Sequence, residues 1–147
     1  MKLHHGHITH ELDDQWWEEA GMVGFVPARS SFRPNPSAFP GWGILEIPIT
    51  DVQPVERQLS HGVFNDGPST SARERVVSIL KGIREDAAFL PVELERLPAG
   101  GPYRFKLYHG AHRLYCAVAA GFSAVPAIDV TDGGPSVVLD FDAPNAS

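Results

Sequence analysis

Between Pro91 and Val130 the spacing of apolar residues switches from every second position to a helical three-and-four spacing and back again. That double switch restricts the fold more than any other feature of the chain. "PVELERL" and "PYRFKLYH" are alternating runs joined by "PAGG", the pattern of two antiparallel strands and a tight turn. In the second run Tyr103, Phe105 and Leu107 share one face, and Arg104, Lys106 and Tyr108 the other. The next segment, from about Ala111 to Ala120, puts Leu114, Ala117 and Val118 on one side of a helix, with Gly121 placed to end it in a left-handed cap. "AVPAIDV" then reads as a strand.

Upstream, "ILEIPI" from Ile44 is a short strand, followed by an irregular connection with turn chemistry at Asn65 to Pro68. The segment "STSARERVVSILKGIRED" is a helix capped by the hydroxyl residues Ser69 to Ser71. Its buried stripe is Val76, Ile79, Leu80 and Ile83, and Arg75, Ser78 and Lys81 fall off it. The order strand, helix, hairpin, helix, strand predicts a small α+β domain with a mixed sheet. Before it, residues 1–43 read as an arm: "THELDDQWWEEAG" forms a short helix with Leu12, Trp16 and Ala20 four apart, while "RSSFRPNPSAFPGWG" holds too many prolines for a regular element. The aromatics pack this arm on the core. The domain spans 44–132, and residues 133–147 supply an edge strand, within "DGGPSVVLDF", and a polar tail.

Composition narrows the partners. A chain of 147 residues with no apolar run near the ~20 needed to cross a bilayer suits one soluble domain. Histidines stand in the first positions where a signal peptide needs an apolar stretch, so the expected location is cytoplasmic. A net charge of -6 disfavours wide contact with duplex phosphates. Cys116, the single cysteine, excludes an internal disulfide and a multi-cysteine zinc site.

The strand-to-helix turn "YHGAHR" carries the chemistry. A helix's first turn presents unpartnered N–H groups and the positive end of its dipole, which attract phosphate, sulfate or carboxylate. Gly110 removes a side chain that would block approach to that backbone, while His112 and Arg113 place donors in the same turn. The competing reading pairs Arg113 with a surface carboxylate and lets His112 merely pack.

From Ile44 to Val130 the chain resembles the ParB/sulfiredoxin superfamily. The matching segments are "EIPITDVQPVERQ", "RVVSILKGIRED", "LPVELERL", "YRFKLYHGAHRLYCAVAAG" and "VPAIDV", in the family's order and spacing. The resemblance implies a nucleotide site in which Gly110, His112 and Arg113 contact phosphates, helped by Arg75 and Ser78 on the first helix and Arg57 in the loop after the first strand. It further implies ATP or CTP with magnesium as cofactor. Ala111 stands where sulfiredoxins carry their catalytic cysteine, so sulfinic-acid reduction has no nucleophile here. Cys116, farther into the helix, is expected to fill core. Gly82 departs from the family, which has a hydroxyl residue there. A related branch of serine kinases uses a glutamate after the first strand as base, and Glu56 is near that position. Only seventeen residues follow Val130 in this sequence, so the centromere-binding role of the chromosome-partition branch, which uses a following DNA-reading domain, is not expected.

The implied activity is a small phosphotransferase or nucleoside triphosphatase with a nucleotide and a further small-molecule or protein partner. The alternatives are a non-catalytic nucleotide- or anion-sensing interaction module and, less favoured, a ParB-like nuclease. His4, His5, His7 and His10, with Glu11, Asp13 and Asp14, could ligate a transition metal, but a frayed, solvated terminus is the stronger expectation. His61 and His109 take no assigned role.

Overall fold

The computed structural model describes residues 1–35, 39–56 and 72–133. Arg57, His61, the turn at Asn65 to Pro68, the cap at Ser69 to Ser71 and the edge strand from Gly134 onward lie outside the described residues. The remaining elements follow the predicted order closely. Strand β4 (Leu45–Pro48) leads into one turn of 3-10 helix (Ile49–Asp51), and helix α2 spans Ala72–Arg84. Strands β6 (Val92–Arg96) and β7 (Phe105–His109) form the hairpin; α3 (Ala111–Ala120) and β8 (Ala124–Asp129) follow.

These strands make a mixed four-stranded sheet in the order β4-β8-β6-β7. Strand β8 runs antiparallel to β4 and parallel to β6, with Ala127 opposite both Leu45 and Val92. Central strands lose solvent on both faces, and the sequence complies: Val92, Leu94, Val125 and Ile128 are fully buried. Helix α3 packs against β6, β8 and α2, closing the core around Leu80 and Leu114. The alternation of β7 places Phe105 inside and Arg104, Lys106 and Tyr108 outside, as its spacing predicts. Gly110 (φ 111°) and Gly121 (φ 91°) bracket α3 in the left-handed region that favours glycine.

The first 43 residues differ from expectation. Strands β1 (Lys2–His5) and β2 (Ile8–Glu11) form an antiparallel hairpin, with Leu3 opposite His10 and His5 opposite Ile8. Leu3, His5 and His10 are buried by α3 and the chain after β4, so the frayed terminus expected from the polar sequence is corrected. Histidine tolerates burial here because each ring finds backbone acceptors, an option invisible to a polarity count.

The predicted helix in the arm is α1 (Asp14–Glu19), its first turn capped by the Asp13 carboxylate, which accepts from the Gln15 amide at 2.8 Å. Leu12, Ala20, Met22 and Phe32 are the fully buried anchors of the arm, whereas Trp16 and Trp17 are half-buried and Trp42 is exposed. Within the proline-rich stretch, β3 (Arg33–Pro34) pairs in parallel with β5 (Ala88–Phe89), a small ribbon that periodicity does not reveal. An edge-to-face contact between Phe32 and Phe89, with centroids 5.6 Å apart, fastens it.

Among the described residues no helix is long and apolar enough to cross a membrane.

Candidate functional site

The turn from β7 into α3 brings charged groups into the protein rather than onto its surface. His112 and Arg113 are 5% and 4% exposed. Gly110 is required here on two counts: its φ of 111° is left-handed, and a Cβ would meet Arg113 Nη2 at 2.8 Å and Val92 Cγ1 at 2.9 Å. The guanidinium therefore lies directly against the start of α3, whose N-cap offers no side-chain acceptor to the first-turn amides.

Behind this turn is Glu93, 1% exposed, on β6. It stands opposite His109 in the sheet, with His109 Nδ1 3.5 Å from its Oε2. The charge of Glu93 also favours the protonated form of Arg113. Burial dominates, lowering the Arg113 pKa to about 10, so the group remains a cation at neutral pH. Its Nε has no hydrogen-bond partner among the described residues.

His112 behaves differently. Burial first, then the charges of Arg75 and Arg113, lower its pKa to about 4. At neutral pH His112 is therefore a neutral donor–acceptor beside the cation Arg113, because burial and the two nearby guanidinium groups disfavour its protonated form.

The structure thus brings together Gly110, His112, Arg113 and Arg75, which is half-buried on α2. Ser78 lies three residues from Arg75, on the same side of α2, and is exposed. Glu56 is exposed and makes no hydrogen bond or ion pair with this cluster among the described residues. Arg57, expected to join it, lies outside the described residues.

Sequence reasoning missed two participants. Glu93 belongs to an alternating run that assigns it to the solvent side, yet Val92, Glu93 and Leu94 are all buried. Strand β6 lies between β8 and β7, and its two faces are both covered here, so alternation no longer separates buried from exposed positions. Tyr115 donates its hydroxyl to the Val55 carbonyl at 2.8 Å, holding the segment before Glu56 against α3. No motif signals that contact. The carboxylate whose charge favours Arg113 is internal, not a surface group.

Cys116 is buried, with its thiol 4.0 Å from the Val76 carbonyl and its pKa raised by burial, as suits an inert core residue. At Gly82 a Cβ would meet the Phe89 ring, so any side chain there would require that ring to shift.

A separate open cleft of about 530 Å³ lies between β4 and the far end of α3, lined by residues including His4, Glu46, Val118 and Phe122. It contains none of the residues predicted for the phosphate site, and its carboxylate, Glu46, already accepts from the Ser30 and Ser31 hydroxyls at 2.9 and 3.2 Å.

A scan against protein-family models finds none that matches the chain, and a search of curated proteins finds no match.

Proposed function

We propose that this is a ParB/sulfiredoxin-like protein that binds nucleotide phosphates at the start of α3 and acts as a small phosphotransferase or nucleoside triphosphatase. The observation that carries this reading is Arg113, a buried cation lying against the glycine that begins α3. Buried cations are expensive unless compensated, and Glu93 offers part of that compensation from within. A phosphate group would supply the rest while accepting from the first-turn amides.

The residues fit such a group. Gly110, His112 and Arg113 would hold its oxygens, with Arg75 and Ser78 approaching from α2 and Arg57 joining by resemblance. ATP or CTP with magnesium would supply a transferable phosphoryl group. Positioning and charge neutralisation dominate that chemistry, which suits a site built from guanidinium groups and amide dipoles. Glu56 is the base in this proposal, deprotonating an acceptor hydroxyl.

A non-catalytic nucleotide sensor is the second reading, favoured by the exposure of Glu56, which makes no hydrogen bond or ion pair with the cluster among the described residues. Thermal shift and phosphate release with ATP, ADP, CTP and inorganic phosphate, each with magnesium, separate the two. Turnover lost in Arg113→Lys at unchanged folding supports the enzyme; a thermal shift without turnover supports the sensor. No shift with any of these compounds removes the proposal, and cleavage of plasmid DNA that a chelator abolishes would replace it with the nuclease reading.

A further inference from the structure

The N-terminal hairpin carries two buried imidazoles that neither the core fold nor the α3 turn requires. His5 and His10 fall on the inward face of β1 and β2 beside Leu3, whereas His4 points outward, with its Nδ1 3.2 Å from Thr9 Oγ1. Strand alternation thus puts His4 on the outer face and His5 and His10 on the inner one, with His7 in the turn between the strands.

Both inward rings are used in the same manner. His5 Nε2 donates to the carbonyls of Ile49 and Val52, at 3.1 and 2.7 Å. His10 Nε2 donates to the carbonyl of Val55 at 3.1 Å, and its ring stands edge-on to Tyr115 with centroids 4.3 Å apart. Since carbonyls only accept, the proton of each neutral ring must reside on Nε2. The opposite nitrogen, Nδ1, is buried in both rings and has no hydrogen-bond partner among the described residues. A second proton would have to go there, creating a buried cation with an unpaired N–H.

We propose that the hairpin is an acid-released latch: neutral His5 and His10 clamp residues 49–55 against the body of the protein, and their protonation undocks the hairpin from that segment.

The surroundings offer the protonated rings no counter-charge. Asp51, on the 3-10 helix, is engaged by Arg104 at 3.0 Å, and Glu56 is exposed at the far end of the clamped segment. From α3 the neighbouring titratable groups are Tyr115, occupied with the Val55 carbonyl, and the buried thiol Cys116. Tyr103 packs its hydroxyl over the hairpin turn at Gly6. The charge that bears on His10 is that of His5, and it is repulsive, so the two rings oppose each other's protonation. Burial acts in the same direction on both.

The sign follows from linkage. The docked rings have pKa values below the ordinary histidine value of about 6.5, so the undocked hairpin takes up protons that the docked one excludes. Docking is at full strength above that value and weakens as pH falls below it. Each histidine can raise the undocked fraction up to about tenfold per pH unit. Val55, held by both His10 and Tyr115, then retains only the tyrosine. Because Glu56 follows Val55, release would also alter the carboxylate offered above as base; that consequence rests on the phosphoryl-transfer reading, while the latch itself does not.

The test is amide hydrogen exchange of the full chain from pH 8 to 5, corrected for intrinsic exchange, together with NMR titration of the histidine rings. Expected is a selective loss of protection in β1 and β2 below about pH 6.5, steeper than one proton per molecule, while β6 and β8 keep theirs. His5→Gln combined with His10→Gln keeps a donor toward the carbonyls but cannot take up the proton, so hairpin protection should become independent of pH. Equal pH dependence in wild type and that variant overturns the latch. Should the variant not fold, the wild-type titration decides: ring signals of His5 and His10 titrating at or above the ordinary histidine value overturn the proposal, and titration below it, in step with hairpin exchange, supports it. Phosphate binding enters none of these readouts, so failure of the anion site and failure of the latch are distinguishable.

Discussion

Arg113 and Glu93 are opposite charges taken out of water at the same turn, and that is where single substitutions should have their largest effects. Removing the carboxylate leaves a buried guanidinium with less compensation than before. Glu93→Gln is expected to destabilise the fold by about 2–4 kcal/mol, because it removes the carboxylate whose charge favours buried Arg113 and which faces His109. Glu95→Gln, at the half-exposed ion pair with Lys106 one turn of the alternation away, should lose no more than about 1 kcal/mol. Urea unfolding of the two variants checks the contrast; similar losses would contradict the role given to Glu93. His112 makes a second prediction at this scale. Its folded pKa of about 4 lies below the unfolded value, so its contribution to stability is complete above pH 6.5 and is lost as pH falls towards 4. Across that window the loss amounts to roughly 3 kcal/mol. His112→Gln should flatten the acid limb of stability accordingly. Bound phosphate should raise the pKa of His112 in an NMR titration, because a nearby anion favours the protonated ring.

At the scale of elements, α2 approaches β5 closely enough that Gly82 and the Phe89 ring share one space. Gly82→Ala improves intrinsic helix propensity but forces that ring to move, and overpacking of this kind costs about 1–3 kcal/mol. Net destabilisation is expected. Combining it with Phe89→Leu should recover part of the loss relative to the sum of the single changes, a coupling that a double-mutant cycle in urea measures directly. The contact between α3 and the segment ending at Val55 depends on one hydroxyl. Tyr115→Phe should lower stability by about 1 kcal/mol and raise amide exchange around Val55, with α3 itself unaffected. A drop in α3 protection would instead show that Tyr115 supports the helix rather than the segment. The central place of β6 shows why pattern alone misplaced Glu93: alternation implies a solvent face, and a strand flanked by β8 and β7 has none from Val92 to Leu94.

For the whole molecule, His5, His10 and His112 are all buried with pKa values lowered mainly by burial. Each binds a proton more readily when unfolded, so global stability should fall as pH is taken from 7 to 5, with His112 alone contributing about 1 kcal/mol over the lower part of that interval. The urea midpoint measured at both values checks the direction, and a midpoint that is unchanged or higher at pH 5 would contradict it. The sequence by itself determined β4, α2, the β6–β7 hairpin, α3 and β8, because apolar spacing decides which residues can share a buried face and Gly110 and Gly121 mark where α3 begins and ends. It also located the turn where Gly110, His112 and Arg113 meet. Tertiary structure alone decided which groups lose water: it enclosed Glu93 beneath that turn, neutralised His112 between two guanidinium groups, and turned a polar terminus into a hairpin whose histidines grip a distant backbone. Protonation and hydrogen bonding depend on what packs over a group from elsewhere in the chain, and the local spacing of residues carries no record of that.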